Sequence, residues 1–66
     1  MTKQELTADL KRYCGGGSFI TRTELQRYMN YSCPKRVDKY LRGLERVSGT
    51  RYFINDVAAN IILYRS

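Results

Sequence analysis

The chain has no histidine, no tryptophan, one proline and two cysteines. Without histidine it lacks the commonest general base and the commonest nitrogen ligand for a metal. Cys14 and Cys33 form no Cys-x-x-Cys pair, and no second pair stands ready to complete a zinc site. A single disulfide between them can be drawn, but nothing else points to an oxidising compartment. Both read as free thiols at core or boundary positions. The longest apolar run, Ile61-Ile62-Leu63-Tyr64, is far short of a membrane span. The opening Met1-Thr2-Lys3-Gln4-Glu5-Leu6 carries no apolar stretch of signal-peptide length. Gly15-Gly16-Gly17 has no preceding strand and no following Lys-Ser/Thr, so it is a helix stop rather than a phosphate loop. With no metal constellation and no activated nucleophile pair, the expectation is a non-enzyme with no catalytic residue, no metal and no cofactor. Its expected place is the reduced cytoplasm of a bacterial host, away from the membrane.

What is present is compact and basic. A chain of 66 residues makes one small domain and buries only about 60 % of the surface that its unfolded form exposes. An apolar content of 42 % is enough to fold. Twelve Lys and Arg stand against six Asp and Glu, for a net charge of +6 and a pI near 9.7. That is above the value of about 9 that marks a candidate for nucleic-acid binding.

The pattern predicts four helices. Thr2-Lys3-Gln4-Glu5 is a capping box, followed by Leu6, Leu10 and Tyr13 at helical spacing, for a first helix over 3–14. Ser18-Phe19-Ile20 is long enough only for a connecting strand. Thr21-Arg22-Thr23-Glu24 is a second capping box, and Leu25, Tyr28 and Met29 give its helix, 22–29, an apolar face. Asn30 tolerates the left-handed conformation and ends that helix. Pro34 opens the third helix, 34–43, with Val37, Tyr40, Leu41 and Leu44 as its buried stripe. A connection of about four residues between these two helices suits a helix-turn-helix. Glu45-Arg46-Val47-Ser48 and Arg51-Tyr52-Phe53-Ile54 read as a β-hairpin over 45–54, turning at Ser48-Gly49-Thr50. Asn55 caps a last helix, 56–64, whose inner face is Val57, Ala58, Ile61 and Ile62. The fold class is therefore mainly α with a small β-hairpin. It is expected to be one winged helix-turn-helix domain over 1–66, with an extra N-terminal helix and a C-terminal helix.

The charge is not spread evenly. Residues 35–51 carry Lys35, Arg36, Lys39, Arg42, Arg46 and Arg51 against Asp38 and Glu45, two-thirds of the net excess. On a regular helix Lys35, Arg36, Lys39 and Arg42 fall on the side opposite the apolar stripe. A solvated face would look the same. The tight turn before it and the basic hairpin after it favour contact with phosphates, because each neutralised phosphate releases a counterion. Arg46 and Arg51 either protect an exposed edge or make a wing whose tip is Ser48, Gly49 and Thr50. Tyr13, Tyr28 and Tyr40 sit at core positions. Tyr31, in the turn, could donate to a phosphate or pack over the turn. Tyr52 and Phe53 could stack on single strands, but their alternation in a strand puts one of them in the core.

Thr21-x-x-Glu24-Leu25-x-x-Tyr28-Met29-Asn30, Val37-Asp38-Lys39-Tyr40-Leu41-x-Gly43-Leu44 and Arg51-Tyr52-Phe53-Ile54-x-Asp56-Val57-Ala58 together resemble the excisionase-type proteins of phages and integrative elements, also called recombination directionality factors. These are relatives of the MerR-like winged-helix domains. The resemblance covers about residues 18–63. It implies sequence-specific binding of double-stranded DNA, as an architectural excision factor or a small transcription regulator. It also implies a tyrosine integrase as partner. A single 66-residue domain reads few base pairs, so cooperative self-assembly of several copies on DNA is a further expectation. By position, Lys35, Arg36, Lys39 and Arg42 become the recognition helix, and Arg46, Ser48, Gly49, Thr50 and Arg51 the wing. Thr21, Arg22, Thr23 and Tyr31 become a clamp on the DNA backbone. The chain departs from the family pattern in having Gln26 where a small residue is usual, Asn30 where Gly is common, and a slightly longer turn. The competing expectations are an adaptor that sets its basic face on an acidic protein partner, and a binder of structured RNA.

Overall fold

The computed structural model describes residues 2–47 and 49–65, with the backbone alone at Arg65. The chain is mainly helical and carries a two-stranded antiparallel sheet. In order it forms α1 (Lys3–Tyr13), β1 (Phe19–Thr21), α2 (Arg22–Tyr28), a 3-10 helix (Pro34–Val37) running into α3 (Asp38–Leu41), β2 (Arg51–Phe53) and α4 (Ile54–Arg65).

Both capping boxes form. The Glu5 N–H donates to Thr2 Oγ1 at 3.1 Å and the Thr2 N–H donates to Glu5 Oε1 at 3.0 Å. These bonds hold the Glu5 carboxyl below its ordinary range. Thr21 and Glu24 make the same reciprocal pair at 3.1 and 2.9 Å. The two helices also end alike. Gly15 and Gly16 donate back to the carbonyls of Arg12 and Lys11, and Asn30 and Tyr31 donate back to those of Arg27 and Gln26. This is the Schellman pattern, with Gly15 at φ 73 and Asn30 at φ 59 in the left-handed region. Asn30 thus does what its residue type predicts.

Four expectations need correction. The third helix does not run over 34–43. Cys33, extended because Pro34 follows it, offers no side-chain cap, so the segment starts as a tight 3-10 turn. Arg42 is already extended at ψ 131, and Gly43 reverses the chain at φ 83. The hairpin over 45–54 is not the sheet. Arg51–Phe53 pairs with Phe19–Thr21, in the register Phe19 to Phe53, Ile20 to Tyr52 and Thr21 to Arg51. The 45–47 run puts no apolar side chain into the core, with Val47 55 % exposed, so its pairing gains no burial. Among the described residues, what remains of the hairpin is the bond from the Val47 N–H to the Arg51 carbonyl at 2.9 Å. The last helix starts at Ile54 rather than after an Asn55 cap, because the Ile54 N–H bonds to the Ser18 carbonyl and carries the strand directly into α4. Tyr13 is not core. It is 46 % exposed and packs edge-on against Tyr28, whose hydroxyl donates to Asp9.

The core is shared by every element. Leu6 and Leu10 of α1 pack with Val57, Ala58 and Ile61 of α4, and Ile20, Leu25 and Ile54 close the middle. Val37, Tyr40 and Leu41 anchor the third helical segment to them. Leu44 and Ile62 lie at the margin of this core. Among the described residues no buried side-chain nitrogen or oxygen lacks a hydrogen-bond partner. Cys14 and Cys33 are free thiols, both half-buried. No described helix is long and apolar enough to cross a membrane.

Truncating Leu41, 7 % exposed, therefore removes an anchor of a four-residue helix. Leu41→Ala is expected to lower stability by about 2–5 kcal/mol, read as a lower midpoint in urea. Asn30→Ala should cost about 1–2 kcal/mol, and Asn30→Gly should cost nothing, because only the alanine meets the left-handed penalty. Equal midpoints for the two Asn30 variants would contradict the assigned turn.

Candidate nucleic-acid interface

The short third helical segment carries the basic residues. Lys35 and Arg36 project from the 3-10 turn, Lys39 from α3, and Arg42 from the residue that ends it, all exposed. The segment makes fewer than two turns of regular α-helix, so its direction is set by its contacts and not by its own hydrogen bonds. On the inner side Val37, Tyr40 and Leu41 are buried. At the end of the segment the Asn60 amide of α4 donates to the Tyr40 carbonyl at 2.9 Å and to the Arg42 carbonyl at 3.4 Å. Asn60 satisfies carbonyls that a helix this short leaves open. Sequence reading passed over it, because a polar residue on a helix gives no hint of a partner twenty positions away.

The turn that leads into this segment is also held. The Gln26 Nε2 donates to the Tyr31 carbonyl at 3.1 Å. Gln26 thus bonds the turn that it faces. Arg36 lies over the Tyr31 ring, 5.2 Å from its centroid, and the Lys39 ammonium lies 5.0 Å from that of Tyr40. The side-chain interaction with Tyr40, and then partial burial, raise the pKa of the Tyr31 phenol.

The structure links the other predicted contact residues to this segment step by step. Arg51, exposed at the start of β2, lies opposite Thr21 in the sheet. Thr21 leads into Arg22, and Arg22 grips Asp38 of α3 with Nε at 2.7 Å and a second nitrogen at 2.9 Å. That pairing strengthens the guanidinium's hold on its proton. The sheet, the start of α2 and the basic segment are therefore neighbours. Thr23 is exposed in the first turn of α2. Arg46, Gly49 and Thr50 are exposed on the loop before β2, and Ser48 lies outside the described residues.

Not every predicted contact is equally open. The Thr21 hydroxyl already accepts the Glu24 N–H, and the Nε and one terminal nitrogen of Arg22 are taken by Asp38. Tyr31 is half-buried and packs against the core. Among the described residues, Lys35, Arg36, Lys39, Arg42, Arg46 and Arg51 are exposed and form no ion pair, whereas the two acids in the same stretch are Asp38 and Glu45.

Asp38 both neutralises Arg22 and places a negative charge among these cations. Asp38→Asn is expected to tighten binding to a DNA duplex and to steepen its salt dependence by about one charge. Isotherms recorded at several salt concentrations give both quantities. An unchanged slope would mean that Arg22 stays out of reach of phosphate even when released. Comparison with family models, with curated proteins and with solved structures finds no match for the chain.

Proposed function

We propose that this protein is a sequence-specific binder of double-stranded DNA, with the exposed cations of the 3-10 turn and α3 as its reading surface. The observation that carries the reading is the placement of Lys35, Arg36, Lys39 and Arg42. All four are exposed on one short segment that follows a tight, Asn30-centred turn from a capped helix. Two successive helices of this kind suit a helix-turn-helix, whose second member enters the major groove. The winged form is favoured by a strand before α2 that pairs with the strand after the basic segment, and by the Val47–Arg51 bond across the loop between them. In that arrangement the loop carrying Arg46, Gly49 and Thr50 serves as the wing.

Arg and Lys on the reading surface suit the acceptor edge of guanine and the phosphates beside it. The A-form major groove of RNA is too narrow to admit a helix, which favours DNA over structured RNA. The resemblance to excisionase-type proteins extends the proposal to an architectural or regulatory role on a mobile element. A tyrosine integrase and further copies of this chain are then the partners, and the site of action is the cytoplasm of a bacterial host. A surface this small covers few base pairs, so several copies on repeated sites suit it better than one.

The test is fluorescence anisotropy with a labelled duplex of about 30 base pairs, long enough for several helical turns, taken from DNA around the protein's own coding region. An unrelated duplex and a double-stranded RNA are titrated beside it. Tighter binding to the local duplex is expected, with affinity falling steeply as salt rises. Engagement of four phosphates gives a log–log slope near about −4. Equal, weak binding to all three nucleic acids would overturn the proposal and leave a generic basic surface. Lys35→Ala, Arg36→Ala and Lys39→Ala are each expected to weaken local-duplex binding, by about 1–3 kcal/mol where the side chain reads a base. Because all three are exposed, their thermal midpoints should stay close to that of the parent chain.

A further inference from the structure

We propose that Tyr31 and Tyr40 are positioning residues of the basic surface: their rings hold Arg36 and Lys39 in fixed directions before any ligand arrives. The inference rests on the DNA-binding reading for what the cations meet, but not for how they are held.

Each cation has one ring. The Arg36 guanidinium carbon lies 5.2 Å from the Tyr31 centroid, and the Lys39 nitrogen lies 5.0 Å from that of Tyr40. Both distances are within the reach of a cation–π attraction. The rings themselves are fixed. Tyr40 is 6 % exposed, meets Tyr64 edge-on at 5.7 Å, and has its backbone carbonyl held by Asn60. Tyr31 is half-buried against the core, and its carbonyl is held by Gln26. Each tyrosine is therefore braced where it stands, one in the turn and one on α3. Exposed Arg and Lys side chains ordinarily sample many rotamers, and ordering them on binding opposes affinity. A cation already resting on a fixed ring loses less freedom.

The arrangement also names the ligand chemistry. A guanidinium whose flat face is covered by a ring keeps its N–H groups free at the edge, where they match a pair of adjacent acceptors. Such a pair is offered both by the O6 and N7 of guanine and by two phosphate oxygens. Tyr31 then acts through Arg36 and not as the phosphate donor that its place in the turn suggests.

The first experiment uses the free, unaltered protein. Proton NMR is expected to show the side-chain methylene signals of Arg36 shifted upfield by the Tyr31 ring. The shift should persist in Tyr31→Phe and vanish in Tyr31→Leu. Unshifted Arg36 signals in the unaltered protein would overturn the proposal whether or not DNA is bound, and they need no variant to fold. The second experiment is a double-mutant cycle on the local duplex. Tyr31→Leu is expected to weaken binding about two- to fivefold, the range of an exposed cation–π contact, without changing the salt slope, because no charge is lost. Tyr31→Phe should bind like the parent. In an Arg36→Ala background, Tyr31→Leu should add nothing further, and losses that simply multiply would overturn the link between the two residues. If Arg36 shows its ring shift but the protein binds no duplex, the DNA reading fails while the positioning geometry stands. Arg36→Ala also separates the two ligand sources. A loss confined to the local duplex assigns guanine, and an equal loss on the unrelated duplex assigns phosphate.

Discussion

The pairing of Phe19–Thr21 with Arg51–Phe53 is the constraint on which the rest of the fold depends. It joins two strands about thirty residues apart, and everything that carries the basic surface lies between them. Closing a flexible loop of that length opposes folding by on the order of 3 kcal/mol. Ile20 and Ile54 offset it. Both are fully buried, and burial of a side chain of this size contributes about 1.5–3 kcal/mol. The bond from the Ile54 N–H to the Ser18 carbonyl then fixes where α4 starts, and so where Asn60 can reach the end of α3. A three-residue strand pair thus sets the position of a helix at the opposite end of the loop that it closes.

The basic segment gains little from its own sequence. A helix of four residues preceded by one 3-10 turn is far below the length that holds in water, about 12–15 residues even in favourable cases. Its shape is imposed by Val37, Tyr40 and Leu41 on the inside, by Asn60 at its end and by Arg22 on Asp38 at its start. Four exposed cations on so short a stretch repel one another, and only Asp38 among them gives relief.

What could be read from the sequence was local. The capping boxes at Thr2 and Thr21, the left-handed Asn30 and the Gly15 stop are each fixed by neighbours within five residues, so residue type and spacing were enough to find them. The exposure of Lys35, Arg36, Lys39 and Arg42 followed from the apolar stripe beside them. The strand pairing did not follow, because Arg51–Phe53 has a nearer candidate partner at 45–48. The choice between the two is made by which strand brings an isoleucine into the core. Ile20 does so with no exposed surface, while Val47 is left 55 % exposed. The shortened third helix was likewise invisible to periodicity. Spacing at 34–43 fits a helix, but Cys33 cannot cap it and Arg42 leaves it early.

The separation between what stabilises the protein and what lines its candidate surface follows from the same geometry. The α1–α4 pairing and the two isoleucines hold the domain, and none of these residues lies on the basic segment. The cations, in turn, are exposed and lie outside the core cluster. Tyr40 belongs to both sets, buried among the helices yet carrying Lys39 on its ring. A change in the packing of α4 against α3 would therefore be felt at the surface through Tyr40, its Tyr64 neighbour and the Asn60 amide before it reached any other cation-bearing residue. Small domains have few side chains to spare, and here one buried tyrosine couples the core to the direction in which the charges point.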